Sequence, residues 1–79
     1  MPLGEQIKKY RKQRKLSQTD LSNLIKEKHS IDIAQNTISQ YEKGVREPNL
    51  STIRIIGDAL GVTISELVEP TTKEKQNEM

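Results

Sequence analysis

Residues 34–44 read AQNTISQYEKG, and the way this segment divides into two sides decides the fold class. On a helical wheel Thr37, Ile38 and Tyr41 fall on one side, while Gln35, Asn36, Ser39, Gln40 and Lys43 fall on the other. That period predicts a helix from Ala34 to Lys43, stopped by Gly44 where a left-handed C-cap is needed. Its outward side carries amides, a hydroxyl and a cation, and no acid.

Working outward, the flanking segments repeat the helical period. Leu3, Ile7 and Tyr10 line one side of an amphipathic first helix that runs to Arg14 and ends near Lys15. Ser17 is a good N-cap for a second helix, with Asp20 in its first turn and Leu21, Leu24 and Ile25 as its apolar stripe, extending to about Lys28. Between His29 and Ile33 no period is sustained, which predicts a connection. After a turn over Val45 to Pro48, Asn49 caps a fourth helix with Leu50, Ile53, Ile56 and Leu60 on its apolar face, and Gly61 closes it. Thr63 or Ser65 starts a short fifth helix through Leu67. The expected architecture is all-α, one compact five-helix domain over residues 1–69. Residues 70–79, Pro70 followed by TTKEKQNEM, offer no large apolar residue except Met79 and are expected to form a disordered polar tail.

Composition narrows the classes of function. The chain has 79 residues and no cysteine, so disulfides and thiolate metal sites are excluded and stability must come from helix packing or self-association. One histidine gives too few ligands for zinc. No cofactor site is evident either, because the chain shows neither a glycine-rich phosphate loop nor a Ser, His and acid set for nucleophilic catalysis. Apolar runs are too short for a signal peptide or a membrane span, and the lack of cysteine fits a cytoplasmic setting. The net charge is only +2, yet Lys8, Lys9, Arg11, Lys12, Arg14 and Lys15 put six cations into eight consecutive positions. Such a run attracts polyanions, although many runs of this kind are solvated helix faces.

The two features together suggest a functional class. Amides can bond bidentately to adenine in the DNA major groove, and a lysine at a helix end can reach guanine or a phosphate. An acid-free polar helix face suits a groove walled by phosphates, though amides are also ordinary surface residues.

The segments LGEQIKKYRKQRKLSQTDL (residues 3–21), NTISQYEKG (36–44) with EPNLSTI (47–53), and IGDALGVTISEL (56–67) resemble, in order and nearly in spacing, the Cro and lambda-repressor-like helix-turn-helix proteins, also called the xenobiotic response element family. The resemblance implies a five-helix domain whose second and third helices form the DNA-reading unit. It implies double-stranded DNA as partner, with a homodimer on a palindromic operator, and a repressor that acts by occupancy. Carried over, it makes Gln35, Asn36 and Gln40 base readers. Gln18 becomes a phosphate ligand that also braces the third helix; Ser17, Thr37, Ser39 and Lys43 complete the backbone set. Arg11 and Glu42 become a structural ion pair. Ile7, Leu16, Leu21, Leu24, Ile38, Ile53, Ile56, Leu60, Val62 and Leu67 fall on core positions, whereas Ile55, Ile64 and Val68 lie partly outside the stripes and suggest a dimer surface.

The chain departs from that pattern at two places. Leu21 and Ile38 are several residues further apart than the usual tight turn allows, so either the second helix gains a turn through Lys28 or residues 29–33 form a loop that tucks Ile31 and Ile33 inward. Lys26, Lys28 and His29 in this extension could add phosphate contacts. Lys15 stands where glycine usually adopts a left-handed conformation, which predicts modest strain. A reading of a different class is an antitoxin or other protein-interaction module; it calls for aromatic and aliphatic anchors on the outward side of the third helix, where this chain has polar residues.

Overall fold

A computed structural model describes residues 3–68, which form α1 (Leu3–Gln13), α2 (Gln18–His29), α3 (Gln35–Lys43), α4 (Leu50–Leu60) and α5 (Ile64–Val68). The expected tail and the end of the expected domain lie outside the described residues. Among those described, every regular element is helical.

The helix ends follow local chemistry. Ser17 caps α2 through a reciprocal box: its hydroxyl accepts from the Asp20 amide at 2.9 Å, and Asp20 Oδ2 accepts from the Ser17 amide at 2.9 Å. Asn49 Oδ1 accepts from the Thr52 amide at 2.9 Å and starts α4. Thr63 and Glu66 form the same kind of box before α5, which therefore begins at Ile64. The third helix begins at Gln35, with Ala34 as an N-cap that makes no side-chain bond. Gly44 and Gly61 end α3 and α4 at φ 78° and 77°. Lys15 does adopt the left-handed conformation expected of it, at φ 60°.

Packing gathers one stripe from each helix. Ile7, Leu21, Ile25, Ile38, Ile56, Leu60 and Leu67 are fully buried, and Ile33, Tyr41, Ile53 and Ala59 complete the cluster. Each such aliphatic side chain contributes roughly 1.5–3 kcal/mol. Leu16, Leu24 and Val62 are half-buried and pack on the cluster's edge, as do Ile55, Ile64 and Val68. Leu50 departs from the expected apolar face: it is 60% exposed, because it is the first residue of α4 and the helix meets the core only from Ile53 onward.

Both alternatives for the long α2–α3 connection hold at once. The second helix continues through His29 and ends at Ser30, which takes a left-handed conformation (φ 57°) and returns its N–H to Lys26 O at 2.8 Å. Residues 30–34 then run back without helix, and Ser22 Oγ donates to Ile33 O. Ile33 is buried in the core at 8% exposure; Ile31, two residues earlier, remains 37% exposed and is not tucked in as expected. His29 Nε2 lies 2.9 Å from Asp58 Oδ2, tying the end of α2 to α4.

In α1, Gly4, Ile7 and Arg11 are buried at spacings of three and four residues, so they form one stripe. Gly4 allows the close approach of α1 to the end of α3: a Cβ there would collide with the Tyr41 carbonyl and lie 2.5 Å from the Glu42 carbonyl oxygen.

Candidate nucleic-acid interface

The third helix is positioned by what lies behind it. Ile38 is fully buried and Tyr41 nearly so, whereas Gln35, Asn36 and Lys43 are exposed and Thr37, Ser39 and Gln40 half-buried. Burial therefore follows the wheel division at Ile38, Tyr41, Gln35, Asn36 and Lys43, with the Gln35 and Asn36 amides exposed and Gln40 half-buried beside them.

A polar brace fixes this helix against α1 and α2. Arg11 Nε donates to Glu42 Oε2 at 2.7 Å and Arg11 Nη2 donates to Glu42 Oε1 at 3.1 Å, a fork-to-fork pair whose side chains are only 9% and 4% exposed. The remaining arm of the fork, Arg11 Nη1, donates to Leu16 O at 2.8 Å and secures the α1–α2 turn. On the other side of the carboxylate, Gln18 Nε2 donates to Glu42 Oε1 at 3.0 Å, and Gln35 Nε2 donates to Gln18 Oε1 at 2.6 Å. An unbroken chain of bonds thus runs from the interior of α1 to the first residue of α3. Among the described residues no buried side-chain nitrogen or oxygen lacks a partner.

The basic run of α1 separates into different roles. Arg11 is interior, and Arg14 Nη1 donates to Leu60 O at 3.1 Å, satisfying a carbonyl at the end of α4. Lys8, Lys9, Lys12 and Lys15 are exposed, with Lys9 Nζ 5.4 Å from the Tyr10 ring centroid. In the connection, Lys26 lies 3.5 Å from Asp32 in an exposed pair, and His29 faces Asp58. Lys28 is exposed.

Each site residue read from the sequence now has a place. Gln18, Gln35, Glu42 and Arg11 are joined in the brace. Asn36, Ser39, Gln40 and Lys43 lie on the remainder of α3, and Ser17 is engaged as the α2 cap. Thr37 sits at the inward edge, next to Ile38. The resemblance supplied the Arg11 to Glu42 pair and the bracing role of Gln18; it did not supply the Gln18 to Glu42 bond, the docking of Arg14 on α4, or the need for glycine at position 4. None of these has a local sequence signal, since the partners are 24 to 46 residues apart.

The Ser17 cap also perturbs Asp20. The Ser17 amide, and then its hydroxyl, hold the Asp20 carboxyl below the ordinary aspartate range, because both bonds favour the charged form. The site has no group of His, Asp and Glu able to hold a metal ion among the described residues, and no helix described is long and apolar enough to cross a membrane.

Comparison with known proteins identifies the family. Residues 7–67 match the family described as Helix-turn-helix. The chain is 32% identical over 80 residues to the immunity repressor protein of Bacillus phage phi105, covering 99% of the chain and 51% of that relative. It is 35% identical over 65 residues to the cryptic phage CTXphi transcriptional repressor RstR of Vibrio cholerae, covering 82% of the chain and 53% of the relative. To the uncharacterized HTH-type transcriptional regulator YqaE of Bacillus subtilis it is 32% identical over 72 residues, 91% of the chain and 57% of the relative. The chain thus spans about half the length of the curated relatives it matches. No solved structure matches it significantly. With the matched span covering all but the edges of the described fold, and with α2 and α3 braced as a unit, the chain belongs to the Cro and lambda-repressor-like helix-turn-helix family of transcription regulators.

Proposed function

We propose that this chain is a sequence-specific DNA-binding repressor that seats α3 in the major groove and acts by occupying its operator, without chemistry of its own. The single observation that carries the reading is the outward amide face of α3, held rigid from behind by Ile38, Tyr41 and the Arg11 to Glu42 pair. Asn36, Gln40 and Gln35 offer donor and acceptor pairs to base edges. Lys43, Ser39, Gln18 and Ser17 serve as phosphate contacts, with Thr37 joining them from the inward edge of α3, and such contacts set register without reading sequence. Relatives named as repressors support the sign of the regulation.

Two copies on a palindromic site would place two α3 helices one DNA turn apart, about 34 Å. Such a regulator would work in the cytoplasm, where the operator is. Selection of bound sequences from a random duplex pool tests the reading directly. The expected outcome is an inverted repeat, with affinity that falls steeply as salt rises; Lys43→Ala should lower the logarithmic salt slope by about 1. Equal binding to every duplex would overturn it.

A further inference from the structure

We propose that Glu42 is a positioning residue for base choice: through Gln18 it fixes which end of the Gln35 carboxamide faces outward, and so poises α3 to select adenine at one position of the half-site. The inference rests on the reading of α3 as the base-reading helix, and it assigns to an interior acid a part in specificity.

The argument starts from what a carboxylate can do. Glu42 accepts two bonds from Arg11 and has no proton to donate. Gln18 can therefore meet Glu42 Oε1 only with its nitrogen, as it does at 3.0 Å. The Gln18 amide is then left with its oxygen pointing at Gln35, and Gln35 must answer with nitrogen, as it does at 2.6 Å. An amide on an open surface can turn over by half a rotation at little cost. Here each turn is blocked by the one behind it, and the first is blocked by a charge paired with Arg11 at 4% exposure.

The consequence is a fixed pattern at the surface. One N–H of Gln35 is committed to Gln18; the other N–H and the carbonyl oxygen have no other partner among the described residues. A donor beside an acceptor matches adenine, which presents N7 as acceptor and its N6 amino group as donor in the major groove. Were the relay reversed, Gln35 would turn its oxygen toward Gln18 and present only N–H groups outward. That pattern matches guanine, which offers two acceptors, N7 and O6. Glu42 touches no DNA in either case.

The test is selection from a random duplex pool with the full chain and three variants, each checked for helical content by circular dichroism. Loss of preference at one position with Gln35→Ala identifies the base that Gln35 reads, and adenine is expected there. Glu42→Gln can turn either oxygen or nitrogen to Gln18, so the preference for adenine over guanine at that position should fall at least fivefold while the other positions keep theirs. Gln18→Met removes the relay and leaves the Arg11 to Glu42 pair in place; it should produce the same local loss, and it decides the matter if Glu42→Gln does not fold. Guanine at the Gln35 position of the parent protein, no position affected by Gln35→Ala, an unchanged adenine preference in Gln18→Met, or an equal loss at all positions would each overturn the relay. A parent protein that selects no sequence would overturn the base-reading assignment of α3 itself, and the relay with it; selection that persists while the relay variants change nothing locally would overturn the relay alone.

Discussion

The two sides of α3 are held by different physics. Behind it, Ile38 sits among Ile7, Leu21, Ile25, Ile56, Leu60 and Leu67, where attraction is non-directional and each contact can be replaced by another of similar volume. At its ends, Glu42 is held between Arg11 and Gln18, and Gln35 is held by Gln18, each bond with one allowed polarity. The first region tells the helix where to be, and the second tells it how to present itself. A change in the aliphatic cluster should therefore alter stability with little effect on base preference, whereas a change in the brace should alter both.

The largest effect tests the brace. Glu42→Ala leaves the Arg11 charge buried without its partner and should cost about 3–5 kcal/mol in urea unfolding, whereas the double variant Arg11→Met, Glu42→Leu should recover much of that loss. Equal costs for the single and double variants would show that packing, and not a stranded charge, dominates there. Next comes Ile56→Ala, at the fully buried centre of α4, expected to cost about 2–5 kcal/mol through lost burial and a cavity. If the comparison is right, its DNA preference at temperatures where it remains folded matches that of the parent chain.

Smaller effects sharpen the boundary between the two regions. Ser17→Ala removes the α2 cap beside Gln18 and should cost about 1 kcal/mol. The pH dependence follows from Asp20. Because its folded-state carboxyl is held below the ordinary range, its contribution is present above the unfolded value and is lost as pH falls through the folded one. Chemical unfolding as a function of pH should show this loss below about pH 4, and Asp20→Asn should flatten that limb. At the bottom of the series, Leu50→Ser changes an exposed residue outside the cluster and should shift stability by no more than about 0.5 kcal/mol. A larger loss would mean that Leu50 is covered by something, and sedimentation would show whether that is a second copy.

Much of this arrangement was legible in the order of residues. The stripe of Ile7, Leu21, Ile38, Ile56 and Leu67 follows from the helical period, and Ser17, Asn49, Gly44 and Gly61 mark helix ends because capping is a local matter of side-chain reach and backbone φ. The outward amides of α3 were legible for the same reason. Ile31 and Leu50 are more exposed than their apolar character suggests, because that character carries no information on whether a neighbouring element reaches them. Ile33 is buried where Ile31 is not, and its segment is tied to α2 by Ser22, a bond across 11 residues that no local pattern announces.

The amino-acid sequence alone determined the helical period, the caps and the polarity of each face, since these depend on interactions within a few residues along the chain. Which cations of α1 are interior, how far α2 extends before the return to α3, and which way the Gln35 amide points were decided only by the tertiary structure. Those outcomes depend on partners brought together from distant positions, and a hydrogen bond or an ion pair is specified by distance and angle that only the folded chain supplies.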